Sequence, residues 1–168
     1  PRMILVPRAF QPSKSLEKLD RQGKLEVSFD GDFSAVIAGC ATTRRPREAG
    51  TWISSAVVRA YTELWRRGVA HSVEVREDGE LVGGLYGLAM GRAFFGESMF
   101  YRRRDASKIA LWHLCRRLRA AGYHFVDCQQ ETAHLRKLGA VAIPRLRYLR
   151  LLDEALESED RWPAVVSP

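Results

Sequence analysis

The sequence predicts one α/β domain built on a mostly antiparallel sheet, and three observations carry that expectation. His71 to Arg76, Glu80 to Met90 and Phe94 to Phe100 read as strands separated only by Asp78-Gly79 and Gly91, the punctuation of successive hairpins. Apolar residues at helical spacing flank this block, at Val57, Val58, Tyr61, Leu64 and Trp65 before it and at Leu111, Leu114, Cys115 and Leu118 after it. The 168 residues hold no repeat, low-complexity tract or linker, so one core is expected over 1–156, with 157–168 as a poorly ordered tail.

Taken in order, Arg2 to Val6 is a short apolar run closed by Pro7, compatible with an edge strand or with the tail of a segment upstream. Ser13 to Lys24 sets Leu16 and Leu19 among Lys14, Lys18, Arg21 and Lys24, a short amphipathic helix stopped by Gly23. Leu25 to Phe29 alternates as a strand, and Asp32 is placed to cap a helix that buries Val36, Ile37 and Cys40. Thr42 to Gly50, with Arg44, Arg45 and Arg47, has no periodicity and reads as a loop. A helix follows Thr51-Trp52-Ile53-Ser54 and runs to about Arg67, with Gly68 as its stop.

Beyond the three strands, Arg102, Arg103 and Arg104 lead into a helix ending near Ala121, capped by Asp105 or Ser107. Free N–H groups at a helix start beside cations suit an anion. Tyr123 to Gln129 is a buried strand, Glu131 to Leu138 a short helix, Ala140 to Ile143 a strand, and Pro144 opens a last helix to about Leu156. This order and these lengths match an acetyltransferase-like arrangement, which fixes no chemistry by itself.

A formal charge of +7 and a pI near 9.7 favour a polyanionic partner, nucleic acid ahead of a membrane. Cys40, Cys115 and Cys128 are odd in number, lie in apolar contexts and lack C-x-x-C spacing, so neither disulfides nor a zinc site is expected. No apolar run is long enough to span a bilayer and the first residues lack a secretion pattern, which predicts a cytoplasmic protein.

The site signal is a pair of carboxylates in otherwise apolar strands. Glu97 lies in Phe94-Phe95-Gly96-Glu97-Ser98-Met99-Phe100 and Asp127 in Phe125-Val126-Asp127-Cys128-Gln129. Burying a carboxylate costs several kcal/mol unless it is paired or ligated, so each is solvated at a strand end or has a task. Gly83, Gly84, Gly87 and Gly96 bare parts of the same strands, which serves close approach by a ligand or by another backbone, or else a bulge. Trp52, just ahead of its helix, is a packing anchor or a stacking surface for a base.

These stretches together resemble a known family. Thr51-Trp52-Ile53, Ala70 to Val75, Gly83-Gly84-Leu85-Tyr86-Gly87, Phe95 to Phe100, Asp105-Ala106-Ser107-Lys108, Asp127-Cys128-Gln129, His134-Leu135, Leu138-Gly139-Ala140 and Ile143-Pro144-Arg145 look like the leucyl/phenylalanyl-tRNA–protein transferases, in the same order. The resemblance implies an acetyltransferase-like (GNAT) domain that works without coenzyme A or metal, as a cytoplasmic monomer. It implies transfer of leucine or phenylalanine, less readily methionine, from aminoacyl-tRNA to an N-terminal Arg or Lys of a protein, which marks that protein for degradation.

By position, Asp127 and Gln129 would orient the acceptor amine, with Glu97 supporting the same polar pocket. Leu85, Phe94, Met99, Leu111, Leu114, Leu118 and Val126 would line the side-chain pocket, and Trp52 would lie near the terminal adenosine. Lys14, Lys18, Arg21, Lys24, Arg102, Arg103 and Arg104 would meet the tRNA backbone. The family usually carries a further N-terminal segment ending in a W-W-S-P-type motif, and Pro1-Arg2 resembles the end of that motif. Two other readings are an acyl-CoA-dependent N-acetyltransferase, for which Arg103 to Lys108 lacks the expected glycine, and a shortened tRNA-binding relative without turnover.

Overall fold

The computed structural model describes residues 1–43, 51–159 and 162–163. Its strands are β1 (Arg2–Leu5), β2 (Leu25–Phe29), β3 (Ala70–Glu77), β4 (Glu80–Met90), β5 (Ala93–Tyr101), β6 (Phe125–Gln129) and β7 (Val141–Ile143). The helices are α1 (Lys14–Arg21), α2 (Phe33–Thr42), α3 (Ser55–Arg66), α4 (Ala106–Ala120), α5 (Ala133–Lys137) and α6 (Arg145–Leu156). Every element expected from periodicity is present, and the arginine-bearing loop lies outside the described residues. The sheet order is β2-β3-β4-β5-β6-β1-β7; β2 and β3 pair antiparallel, as β1 does with β6 and β7, while β5 and β6 pair parallel. No described helix is long and apolar enough to cross a membrane.

The described residues form two compact units. The first comprises Pro1–Ser13, Leu88–Gly96 and the residues from Trp112 onward. Here the expectation for β1 needs correction: it lies between β6 and β7 rather than at an edge, and Met3, Ile4 and Leu5 are all buried. The polar Arg2 masks how apolar the run behind it is. Ile4, Ala93, Phe125, Ile143, Tyr148 and Ala155 form one core of this unit, with α6 supplying the last two. Trp162, expected in a loose tail, stacks on Phe94 with ring centroids 5.7 Å apart and lies under the Arg117 guanidinium at 5.3 Å. An aromatic in a short polar tail is an anchor that periodicity cannot find.

The second unit comprises Lys14–Gly87 and Glu97–Leu111. Asp32 caps α2 by accepting from Ala35 N at 3.0 Å, and Ser54 caps α3 through Val57 N at 3.4 Å. Asp78 and Gly79, at φ +51° and +82°, make the left-handed pair that a two-residue hairpin turn requires. The bare stretch on β4 is filled by the protein itself. A Cβ on Gly83 would come within 2.6 Å of Ala106 Cβ at the start of α4, and one on Gly84 within 2.6 Å of the Val73 carbonyl oxygen. At Gly83 and Gly84 the close approach is thus by neighbouring backbone and the first residue of α4, the second of the expected readings.

Candidate active site

In the first unit, strand alternation places Phe125 and Asp127 on the sheet face covered by α6, and Val126 on the other. Val126 pairs in register with Phe94, and Asp127 with Phe95. The side chain of Asp127 is fully buried. Arg2 grips it with Nε at 2.9 Å from Oδ1 and 3.0 Å from Oδ2, and with Nη2 at 2.8 Å from Oδ2. The Tyr148 hydroxyl donates to Oδ2 at 2.7 Å, and the backbone N–H of Gln129 donates to Oδ1 at 2.8 Å. Both carboxylate oxygens serve as acceptors, the role of an ionised acid. The cost of its burial is thus offset by a forked cation and two further donors.

Arg2 also lies over the Tyr148 ring, 5.5 Å from its centroid. The hydrogen bond to Asp127 raises the Arg2 pKa above its already high ordinary value. Burial, and then the bond to Asp127, push Tyr148 up to about 12. Tyr148 therefore remains a donor throughout the neutral range.

The end of β6 is irregular. Leu5 and Ile4 pair with Val126 and Asp127, but Met3 pairs with Gln129, so the register slips by one residue at Cys128. Gln129 takes φ +62°, a conformation unfavourable to a residue with a side chain. A bulge with a left-handed residue redirects the side chain that follows the regular strand. Gln129 Nε2 donates to the Gly96 carbonyl at 3.2 Å. A carbonyl accepts only donors, so the amide NH2 faces Gly96 and the amide oxygen is the acceptor end. Between the two residues, burial and then the Asp127 charge push the Cys128 thiol up to about 12, which excludes it as a nucleophile near neutrality.

Asp127 and Gln129 are brought together, and the other expected residues of this unit, Phe94, Leu114, Leu118 and Val126, are all buried. Two partners of the acid were missed. Arg2 was read as strand and motif remnant, and Tyr148 as a helix residue. A buried acid demands a cation, but the chain has 27 lysines and arginines, and nothing local to Asp127 selects the one 125 residues away.

In the second unit, Glu97 is half-buried and hydrogen-bonds the Tyr61 hydroxyl. Burial, and then Glu97, push Tyr61 up to about 12. Trp52 meets Tyr61 edge-on, with centroids 6.5 Å apart, and is 45% exposed, so much of its ring faces solvent. Leu85 and Leu111 are buried and Met99 is half-buried. Lys14, Lys18, Arg21 and Lys24 are all exposed. The arginine run divides in three. Arg103 Nε is 2.7 Å from Glu77, Arg102 donates to the Leu81 carbonyl and covers the Phe100 ring, and Arg104 is 95% exposed.

Comparison with known proteins now bears on this geometry. The family described as leucyl/phenylalanyl-tRNA protein transferase matches residues 4–153. The chain belongs to that family. A leucyl/phenylalanyl-tRNA–protein transferase of Pseudomonas putida is 55% identical over 157 residues, covering 94% of this chain and 69% of the relative. Proteins of the same name from Nitrosomonas eutropha and Chlorobium luteolum are each 49% identical, with 68% and 81% of their lengths covered. Among solved structures, a conserved protein of unknown function from Bacteroides thetaiotaomicron matches with TM-score 0.60 at 11% identity, over 81% of this chain and 53% of that one. A GCN5-related N-acetyltransferase from Kribbella flavida matches with TM-score 0.50 at 13% identity, over 84% and 53%. At such identities these two matches speak to the fold alone, and the fold is acetyltransferase-like.

Proposed function

We propose that this member of the transferase family moves an aminoacyl group from aminoacyl-tRNA to the N-terminal amine of an acceptor protein. The amine nitrogen forms a bond to the ester carbonyl carbon, the bond from that carbon to the ribose oxygen breaks, and the proton lost by the amine ends on the departing ribose hydroxyl. An aminoacyl ester is already activated, so alignment supplies much of the rate. What the protein must add is an acceptor aimed at the amine N–H and a means of holding it still.

Gln129 fits the first need and Asp127 the second. The single observation that carries this reading is the placement of the Gln129 amide: its NH2 is held on the Gly96 carbonyl and its backbone N–H on the buried Asp127, which fixes the amide in one orientation. Asp127, buried and engaged by its donors, acts through Gln129 and takes no proton itself. Glu97 orders Tyr61, which in turn meets Trp52, and the exposed indole is the stacking surface for the terminal adenosine. Phe94, Leu114, Leu118 and Val126, all buried in the first unit, are the apolar residues assigned to the amino-acid side chain. Apolar walls separate leucine, phenylalanine and methionine by only about 1–3 kcal/mol, but exclude charged side chains strongly.

Leu-tRNA and Phe-tRNA are the proposed donors and proteins beginning with Arg or Lys the acceptors, in the cytoplasm, with the product directed to degradation. The protein acts as a monomer without cofactor. Exposed Lys14, Lys18, Arg21, Lys24 and Arg104 meet tRNA phosphates, with Arg102 and Arg103 secondary because their guanidiniums are engaged. The test is transfer of labelled leucine from Leu-tRNA to a peptide with N-terminal Arg. Transfer that depends on Gln129, with a fall of about 10²-fold or more in Gln129→Ala, is expected. Transfer undiminished in that variant would remove Gln129 from the reaction; acetyl transfer from acetyl coenzyme A in its place would reassign the chemistry.

A further inference from the structure

The geometry points to Arg2 and Tyr148 as positioning residues that hold Asp127 against the Gln129 backbone and so fix the bulge that aims the Gln129 amide. This deepens the assignment of Gln129 as the amine-handling group and rests on it. The argument begins with the strain at Gln129. A glutamine at φ +62° adopts a sparsely populated conformation, and such a residue persists only where its surroundings over-determine it. Its backbone N–H is held by a bond of 2.8 Å to Asp127 Oδ1.

That restraint is as firm as the carboxylate that accepts it. Asp127 would otherwise be free to rotate about its side-chain torsions, and two distant residues remove that freedom. The Arg2 fork presents Nε to both oxygens and Nη2 to Oδ2, which fixes the plane of the carboxylate. The Tyr148 hydroxyl, from α6, fixes Oδ2 at 2.7 Å. Arg2 in turn lies over the Tyr148 ring at 5.5 Å, so the two clamps also hold each other. With Oδ2 taken by Arg2 and Tyr148, Oδ1 is the oxygen presented to the Gln129 N–H. A strand, a bulge and a helix are thereby joined at one buried acid, whose Oδ1 holds the backbone of residue 129.

Neither Arg2 nor Tyr148 is placed to touch substrate in this scheme, so their effect passes entirely through Gln129. Displacement of a reacting group by about 1 Å is sufficient to cost on the order of 10²-fold in rate. Arg2→Gln is therefore expected to lower kcat about 100-fold while leaving KM for Leu-tRNA within about threefold, and Tyr148→Phe to lower kcat about tenfold. Arg2→Lys, which keeps charge without the fork, is expected to fall between Arg2→Gln and the parent protein.

A structural contribution alone is separated by repeating both substitutions in a Gln129→Ala background. Positioning through Gln129 predicts a further loss of no more than about twofold there, because there is no amide left to misplace. Full losses in both backgrounds, or kcat within about threefold of the parent in Arg2→Gln and Tyr148→Phe, overturn the proposal. A readout independent of turnover is the backbone amide of Gln129 in 15N–1H spectra. Tyr148→Phe, which only deletes a hydroxyl, should move that resonance upfield as its bond to the carboxylate loosens. If the parent protein transfers no aminoacyl group, the functional reading fails while this resonance still decides the clamp: a shift upholds it and an unmoved Gln129 signal overturns it.

Discussion

Among the described residues two acids have no exposed surface, and the units solve their burial differently. Asp127, in the first unit, is met by a forked guanidinium, a phenol and a backbone amide. Glu74, in the second, is held by neutral groups: Ser72 Oγ at 2.5 Å, Ser28 Oγ at 2.8 Å and the N–H of Gly31 at 3.2 Å. Glu74 therefore ties β3 to β2 and to the turn that starts α2, and its donors come from the elements it fastens. The donors of Asp127 come from β1 and α6, and their combined effect is delivered to a strained residue at a strand end. The Glu74 arrangement is a staple; the Asp127 arrangement is an aiming device. Depth of burial does not distinguish them, but the destination of the last hydrogen bond does.

The largest expected effect tests the aiming device directly. Asp127→Asn leaves the Arg2 fork facing a neutral amide, and breaking a buried pair costs about 3–5 kcal/mol; the lower end is expected here because the Arg2 side chain is 40% exposed. Transfer should fall by roughly 100-fold in the same variant. Chemical denaturation and single-turnover transfer measure the two effects, and normal turnover in a stably folded Asp127→Asn would leave the acid no more than structural.

Glu74→Gln should give the opposite pattern. Two hydroxyls and an amide tolerate a neutral acceptor, so a loss of about 1–3 kcal/mol is expected from the NH2 that now faces a donor. Transfer per folded molecule should be unchanged. A selective fall in turnover would erase the contrast between the two acids.

A smaller effect lies in alkaline stability. Tyr148 titrates near 12 against an ordinary value near 10, so between those values the folded state holds a proton that the unfolded chain has lost. Stability is accordingly highest below about pH 10 and declines as pH rises toward about 12, where the phenol ionises beside Asp127. Tyr61, held near 12 by burial and Glu97, adds the same sign in the other unit. Denaturation midpoints followed across this range should fall less steeply in Tyr148→Phe and in Tyr61→Phe than in the parent protein. Equal slopes would mean that neither hydroxyl is held as described.

The smallest effects are expected at the cationic surface, remote from both acids. Affinity for tRNA should fall steeply with salt, as neutralised phosphates release counterions, and Arg104→Ala should flatten the slope more than Arg103→Ala. The reason is that Arg103 is held closely on Glu77 at 2.7 Å, whereas Arg104 stands 3.8 Å from Asp105 and is 95% exposed. A salt-independent affinity would contradict a phosphate-docking role for these residues.

Most of the fold was legible because its signals are local. The Asp78-Gly79 hairpin, the Asp32 and Ser54 caps and the Gly23 and Gly68 stops each depend on a few adjacent residues. The candidate acid at Asp127 was legible too, as a charge in an apolar strand. Glu74 was not, because β3 alternates Val73 and Val75 with Ser72, Glu74 and Arg76, a pattern of one wet face. Six successive residues of that strand are instead buried, and the hydroxyls that make this tolerable come from Ser28 and Ser72. Glu97 erred the other way: its neighbours are apolar, yet it is half-buried. Arg2 and Tyr148 escaped for a third reason. Their meaning lies in contacts across 125 and 21 residues, and no spacing rule reaches so far.

The place of β1 has a consequence for how the chain is made. Met3, Ile4 and Leu5 leave the ribosome long before β6 and β7, between which they belong; Arg2 precedes Asp127 by 125 residues. At about 5–20 residues per second, the nascent segment waits roughly 6–25 s with its greasy ribbon unmatched. The slot between β6 and β7 is thus closed among the last events of synthesis, and the guanidinium that steadies the acid is engaged with it. A ribosome-bound chain stalled before residue 125 would carry the hairpins but not the machinery, so competence for transfer is acquired late and all at once.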